Sequence, residues 1–93
     1  QGFVVMPGGF GTLDELFEAL TLVQTSKVDP VPIILFDSSF WSGLVDWMKN
    51  TLAARYKTIG ENDPNLFHVV DTPEEVVQVV DEFYAKSLLR PNF

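Results

Sequence analysis

The sequence predicts an α/β fold built around a parallel β-sheet, and two features of its patterning predict it. Short, continuously apolar runs alternate with longer segments in which apolar residues recur at helical spacing. The resulting order is strand, helix, strand, helix, strand, helix, and right-handed crossovers join such units into a parallel sheet. We therefore expect a Rossmann-like arrangement of three layers, with helices on the faces of the sheet.

The first strand and the first helix are separated by a change of hydrophobic period. Residues 2–6 are continuously apolar and end at a Pro-Gly-Gly turn, which is typical of a strand buried on both faces. Residues 12–25 then form an amphipathic helix, and residues 27–30, which include a proline, break it. The apolar residues at helical spacing in this segment are Leu13, Leu16, Phe17 and Leu20.

The second unit begins with the apolar run at residues 31–36, which is predicted to be a strand. Its proline lies near the start, where a missing donor to the strand ladder matters least. Residues 37–39, Asp-Ser-Ser, supply capping candidates for the helix that follows. The residues predicted on the buried face of that helix are Phe40, Trp41, Leu44, Val45, Met48 and Leu52.

The third unit follows a loop at residues 57–66, which is rich in Gly, Asn and Asp. Residues 67–70 are predicted to be a short strand. The last helix starts within residues 71–75, with a proline at its first helical position, and residues 88–93 are expected to be a tail. The residues predicted on the buried face of this helix are Val76, Val77, Val80, Phe83 and Tyr84.

The composition excludes several classes of protein. With 93 residues, the chain is long enough for one domain only. The absence of cysteine excludes disulfide scaffolds, thiolate metal sites and cysteine nucleophiles. Six Lys and Arg residues against 13 Asp and Glu residues provide no cationic surface for a polynucleotide. Because the apolar runs are far too short to cross a bilayer, we expect a cytoplasmic domain with neither nucleic-acid nor membrane partners.

The first strand also bears on domain organisation. A strand buried on both faces needs neighbours, and three strands alone would leave apolar sheet surface uncovered. Residues 1–93 are therefore expected to be the C-terminal part of one larger domain. The alternative is a small complete domain that begins with a central strand.

One segment carries the residue pattern of a binding site. Residues 7–15, Pro-Gly-Gly-Phe-Gly-Thr-Leu-Asp-Glu, connect the carboxyl end of the first strand to the first helix, where α/β sheets bind ligands. Gly8, Gly9 and Gly11 are expected to allow positive φ and a close approach of a ligand to the backbone. The unpaired amides of the helix N-terminus suit a phosphate, and the Thr12 hydroxyl adds a further donor.

Neither of two familiar phosphate motifs fits this turn. The P-loop requires a lysine before the threonine, whereas Gly11 precedes Thr12 here. The dinucleotide fingerprint would place its third glycine at Asp14. A different phosphate-binding turn is therefore implied.

Glu15 also has a purely structural interpretation. Thr12 and Glu15 have the spacing of a capping box, in which the glutamate bonds back to the threonine amide. Thr72 and Glu75 have the same spacing at the start of the last helix, without a glycine turn before them. The spacing alone therefore indicates no function and favours a structural role for Glu15.

Residues 7–15 match every fixed position of a Pro-Gly-Gly-x-Gly-Thr-x-x-Glu signature, and here the chain resembles the LOG family. These are the cytokinin riboside 5′-monophosphate phosphoribohydrolases, which are often labelled lysine decarboxylases. The Phe40-Trp41 pair at the second helix is also similar to the family, as is the Asp-x-Pro-Glu-Glu start at residues 71–75. The resemblance covers nearly the whole chain, and its nine-residue signature is the most specific part.

The resemblance implies a role for each signature residue. The residues implied to hold the 5′-phosphate of a nucleoside monophosphate are Gly8, Gly9, Gly11 and Thr12. Glu15 would be the carboxylate at the ribose, with Glu18, one turn later, in an assisting role. The implied reaction is hydrolysis of the N-glycosidic bond to free base and ribose 5-phosphate, without a cofactor, in a homodimer with the site near the subunit interface. Because this cleavage builds positive charge on the ribose, a fixed carboxylate suits it.

The chain departs from the family pattern in one respect. The family's catalytic arginine lies upstream of the signature, and Arg55 and Arg90 fall in other places. A module that holds a nucleotide or another phosphorylated ligand without cleaving it is therefore the alternative. Lysine decarboxylation has less support, because a pyridoxal phosphate enzyme needs a Schiff-base lysine and only Lys27 is near the turn in sequence. The sequence leaves open whether a cytokinin or adenine is the base released.

Four other side chains have predicted positions. Asp37 is expected to cap a helix rather than face the binding crevice, and His68 is expected to pack or to lie at a sheet edge. Trp41 and Trp47 are expected in the core or at an interface, with an aromatic lid over the base as the alternative. No metal site is predicted, because the acidic residues between 61 and 71 lack a regular ligand spacing.

Overall fold

Three short strands form a parallel sheet in the order β1-β2-β3, and each lies where an apolar run predicted it. The structure is a computed structural model that describes residues 2–27 and 30–89. β1 is Phe3–Val5, β2 is Ile33–Phe36 and β3 is Phe67–Val70. The predicted α/β class with a parallel sheet is confirmed.

A helix follows each strand, as predicted. α1 is Phe10–Gln24, which begins within the glycine turn rather than after it, α2 is Ser38–Trp47 and α3 is Pro73–Leu89. The chain passes from α2 directly into a π-helix at Met48–Arg55. A 3₁₀ helix at Asp63–Leu66 leads into β3, within the segment predicted to be a loop.

The core lies between β2 and the helices α1 and α2. Ile33 and Leu35 are completely buried, and they share one face of β2 because alternate side chains of a strand point the same way. Leu16 of α1 and Trp41 of α2 pack into the same cluster. Since the strand order runs in one direction, right-handed crossovers place α1 and α2 on this face. The other buried members of this cluster are Val23, Val45, Met48 and Phe67.

α3 packs against β3, but less tightly than its sequence predicts. Val77 was expected in its buried face and is 58% exposed. The other four residues predicted there are only half-buried: Val76, Val80, Phe83 and Tyr84. The helix also runs to Leu89, two residues into the predicted tail, and residues 90–93 lie outside the described part of the chain.

Within the described residues, β1 is not buried on both faces as its apolar run predicts, in keeping with the expectation that three strands alone leave apolar sheet surface uncovered. Phe3 is 52% exposed and Val4 is 46% exposed. The reason is that β1 pairs only with β2, so that no other described element covers its outer edge. β1 therefore presents an apolar edge to solvent.

The single helix predicted from Phe40 to Leu52 is two helices of different pitch. The amide of Tyr56 donates to the carbonyl of Thr51 at 2.9 Å, a bond five residues long that is typical of a π-helix. Met48 is buried as predicted, whereas Phe40 is 45% exposed. The predicted break at residues 27–30 agrees with the end of α1, although residues 28 and 29 lie outside the described residues.

Candidate functional site

The turn from β1 into α1 lies at the carboxyl edge of the parallel sheet, where α/β folds bind ligands. α1 begins at Phe10 and has Gly9 at its N-cap position, which supplies no side-chain hydrogen bond. The carbonyl of Gly9 accepts the amide of Leu13 at 3.1 Å, which closes the first helical turn. The amides ahead of Leu13 therefore remain available at the positive end of the helix dipole.

The three glycines of the turn do not have the backbone conformation that the sequence predicts. None of the described glycines has a positive φ, so that part of the prediction is wrong. Gly8 is needed instead for space, because a Cβ there would lie 2.9 Å from Thr12 Cβ and closer still to the Thr12 hydroxyl oxygen. A Cβ at Gly9 or Gly11 would meet no atom within 4 Å, so both positions border open space that a ligand can enter.

Thr12 and Glu15 do not form the capping box that their spacing allows. α1 starts at Phe10, which places Thr12 in the third helical position rather than at the cap. At α3, by contrast, the amide of Glu75 donates to Thr72 Oγ1 at 3.1 Å and the amide of Thr72 donates to Glu75 Oε1 at 3.0 Å. The same spacing therefore has a structural role at α3 and none at α1.

A groove of about 830 Å³ runs between β1 and α1, and Thr12, Glu15 and Glu18 line it. Both glutamates are exposed, and neither makes a hydrogen bond or ion pair with a described residue. The groove walls are otherwise mainly apolar, with Phe3, Val4, Met6, Ala19, Leu22, Val23 and Val31 among them. The structure thus brings the threonine and both predicted carboxylates to one groove, beside the open N-terminus of α1.

The N-termini of the other two helices are already occupied by carboxylates of the chain itself. The carboxylate of Asp37 accepts the amide of Ser39 at 3.2 Å, and Asp71 Oδ1 accepts the amide of Ser38 at 2.8 Å. The prediction that Asp37 caps α2 is therefore confirmed. Glu75 fills the corresponding position at α3, where it also accepts the amide of Asp71. Among the three α-helices of the described chain, only α1 has an N-terminus without a side-chain cap.

Several other residues considered as candidates in the sequence lie away from the groove. The Arg55 guanidinium lies over the Tyr56 ring, 5.2 Å from its centre, and so contacts an aromatic face of its own segment. His68 is exposed on the edge strand β3. Trp41 is completely buried in the core, as expected, whereas Trp47 is 50% exposed.

Within residues 2–27 and 30–89, no three His, Asp or Glu side chains come together as a set that could hold a metal ion. No helix in that part of the chain is long and apolar enough to cross a membrane.

Sequence reasoning missed the apolar wall of the groove. Ala19 and Leu22 line it together with Glu15 and Glu18, because residues three and four apart share one face of a helix. That spacing was visible in the sequence, but the position of β1 opposite this face was not. The sequence also indicated no role for Phe10, which is 91% exposed at the first position of α1.

A protein-family model described as "Possible lysine decarboxylase" matches residues 1–80 of the chain. A bifunctional cytokinin biosynthesis protein of Fusarium pseudograminearum is 37% identical over 82 residues, which are 88% of this chain and 16% of that protein. A cytokinin riboside 5′-monophosphate phosphoribohydrolase of Mycobacterium tuberculosis is 42% identical over 57 residues, 60% of this chain and 30% of that protein.

A third relative is a cytokinin riboside 5′-monophosphate phosphoribohydrolase of Arabidopsis thaliana. It is 27% identical over 84 residues, which are 89% of this chain and 38% of that protein. The chain thus spans between 16% and 38% of the length of these three curated relatives.

Proposed function

The chain belongs to the LOG family, whose model carries the description of a possible lysine decarboxylase, and on that basis we propose that it forms part of a nucleoside 5′-monophosphate phosphoribohydrolase. The reaction is hydrolysis of the N-glycosidic bond, which releases the free base and ribose 5-phosphate. The observation that carries the proposal is the position of Glu15. It lies in the groove beside an uncapped helix N-terminus and has no structural partner among the described residues.

The phosphate end of the substrate lies at the start of α1. The amides of the first turn and the helix dipole favour a phosphate there, and the hydroxyl of Thr12 adds a donor. Gly9 and Gly11 leave room for the phosphate oxygens to approach the backbone, and Gly8 leaves room for the Thr12 side chain. This contact supplies binding energy at a distance from the bond that breaks, which helps to position the sugar.

The carboxylates of Glu15 and Glu18 act on the ribose of the substrate. Thr12 and Glu15 are three residues apart, so they are separated by roughly 4.5 Å along the helix axis, and Glu18 follows at the same interval. The bond between C1′ and the base nitrogen breaks, the water oxygen bonds to C1′ and keeps one hydrogen as the new hydroxyl, and the other water proton goes to the leaving base. Glu15 stabilises the positive charge that develops on the ribose and orients the attacking water, with Glu18 assisting.

Decarboxylation of lysine through pyridoxal phosphate receives no support from the groove. The described residues that line it include no lysine for a Schiff base. Lys27, the candidate nearest in sequence, follows the C-terminal end of α1, at the other end of the helix from the glycine turn.

We further propose that residues 1–93 are the C-terminal part of one nucleotide-binding domain of a cytoplasmic homodimer. The exposed edge of β1, with Phe3 and Val4 at its surface, supports an additional strand beside it. The relatives, which are much longer than this chain, support the same view. The arginine that the family resemblance requires would then come from outside these residues.

One observation favours the alternative of a binding module. The described residues that line the groove include no cationic side chain to balance the phosphate or the leaving base. A domain of this kind could hold a nucleotide through its amides without cleaving it.

A base-release assay separates the two functions. The full-length protein that contains this segment is incubated with AMP and with an N6-alkylated AMP, and the free base is measured by chromatography. Hydrolysis predicts free base and ribose 5-phosphate in equal amounts. Tight binding of both nucleotides without release of either base would contradict hydrolysis and support the binding module.

A further inference from the structure

A hydrogen bond ties the C-terminal end of α1 to the segment that precedes β3. Gln24 Nε2 donates to Asp63 Oδ2 at 2.6 Å, and these residues are 39 positions apart in the sequence. The same carboxylate oxygen accepts the amide of Gly60 at 2.7 Å, so the local backbone holds Asp63 in place. Asp63 also begins the 3₁₀ helix that leads into β3. Gln24 thus connects α1 to a part of the fold that is fixed independently of it.

This bond lies on the side of α1 away from the groove. Gln24 lies nine positions after Glu15, and at 3.6 residues per turn this is two and a half turns, which puts them on opposite sides of the helix. Leu16 and Val23, which are packed in the core, lie between them. Consistent with this geometry, Glu15 lines the groove beside β1, whereas Gln24 lines a separate cleft next to the π-helix.

We infer that Gln24 is a positioning residue whose bond to Asp63 fixes the rotation of α1 and thereby the direction of Glu15 and Glu18. The inference rests on the proposed function of these two glutamates. Core side chains such as Leu16 and Val23 hold the packed face of the helix, and rotation of the helix about its axis would move that face. A bond on the flank opposite the groove opposes that rotation directly. Small misplacements of a reacting group are costly, so the bond matters for turnover rather than for folding alone.

The test uses the full-length protein with Gln24→Ala, Gln24→Lys and a matched control, Gln78→Ala. The lysine of Gln24→Lys can still donate to Asp63 Oδ2 and should restore the connection between α1 and the segment before β3. Gln78 is also an exposed helical glutamine that bonds a carboxylate, donating to Glu82 Oε2 at 3.3 Å, but both residues of this bond are on α3. For AMP hydrolysis, Gln24→Ala should lower kcat roughly 10-fold or more while KM stays within about threefold. Gln24→Lys should recover most of that loss, and Gln78→Ala should leave kcat unchanged.

Two results would overturn the inference. The first is a kcat of Gln24→Ala equal to that of the wild type when both are assayed well below the melting temperature of the variant. The second is an equal loss of kcat in Gln24→Ala and Gln24→Lys. If the wild-type protein releases no base, the proposed hydrolysis is wrong, and hydrogen–deuterium exchange decides the role of Gln24 by itself. Exchange across residues 12–18 should then be faster in Gln24→Ala than in Gln78→Ala. Equal exchange in the two variants would show that Gln24 does not hold α1.

Discussion

Thr72 and Glu75 cap each other across the first turn of α3: each donates its amide to the other's side-chain oxygen, at 3.0 and 3.1 Å. Thr12 and Glu15 have the same spacing, but α1 starts two residues before Thr12, and Glu15 faces the groove without a partner among the described residues. The chain therefore contains one Thr-x-x-Glu pair that caps a helix and one that does not. The contrast is the strongest argument that Glu15 serves a ligand.

Replacing each glutamate with glutamine should separate the two roles. Glu15→Gln in the full-length protein should lower kcat for base release at least about 100-fold, because the charge that stabilises the ribose cation is lost. Its melting temperature should not change, since Glu15 bonds to no described residue. Glu75→Gln should do the reverse, weakening the α3 cap by about 1 kcal/mol or less while leaving turnover intact. Equal turnover in Glu15→Gln and the wild type would show that Glu15 is dispensable.

Gly8→Ala tests whether the glycine turn shapes the site through Thr12. The added methyl would lie 2.9 Å from Thr12 Cβ, so the threonine must move away from the position that it has in the groove. We expect KM for AMP to rise roughly 10-fold, the cost of about one lost hydrogen bond to a charged group. Titration calorimetry with ribose 5-phosphate would measure the same loss without turnover.

Gly43→Ala is the matched control for this change. Gly43 lies inside α2, and a Cβ there would meet no atom within 4 Å. Because alanine is a better helix former than glycine, this variant should be more stable by about 0.5–1 kcal/mol and bind nucleotide as the wild type does. If Gly8→Ala bound nucleotide as tightly as Gly43→Ala does, the site would not need a glycine at position 8 to make room for Thr12.

Much of the fold followed from the sequence because local patterns decide it. The three apolar runs are the three strands, and the Asp-Ser-Ser and Thr-Pro-Glu-Glu starts are real helix caps, since these signals act within a few residues. The π-helix could not be predicted in this way. Its apolar residues, such as Met48 and Leu52, have ordinary helical spacing, and the wider turn is visible only in the backbone hydrogen bonds, such as the one from Tyr56 to Thr51.

The sequence predicted candidate residues for the site, and Thr12, Glu15 and Glu18 do line one groove, but it did not predict the geometry of that groove. The motif identified Thr12 and Glu15, but their spacing alone favoured a capping box, because spacing cannot tell at which residue a helix starts. That start depends on the whole turn, which places Gly9 at the cap. The exposure of β1 agrees with the expectation that three strands alone leave apolar sheet surface uncovered, although the apolar run by itself predicts burial.

Gly11→Ala distinguishes ligand contact from protein contact. Gly11 lies in the first turn of α1, and a Cβ there would meet no protein atom within 4 Å. The variant should therefore fold at least as stably as the wild type, because alanine favours the helix. If a phosphate lies against the backbone at this point, the methyl occupies its space, and the affinity for ribose 5-phosphate should fall by about 10-fold or more. If Gly11→Ala were more stable than the wild type and bound ribose 5-phosphate equally well, the phosphate would not lie against the backbone at Gly11.

Val4→Glu tests whether β1 is covered in the full-length protein. Val4 is 46% exposed in the described chain, so a carboxylate there should cost less than about 0.5 kcal/mol if nothing else covers β1. If another strand and its helix cover β1 in the full-length protein, the same charge becomes buried without a partner and should cost several kcal/mol. Val77→Glu provides the comparison, because Val77 is 58% exposed on α3. Thermal unfolding of both variants in the full-length protein gives the answer: a large loss specific to Val4→Glu means that β1 is an interior strand, because only burial converts a tolerated surface charge into a destabilising one.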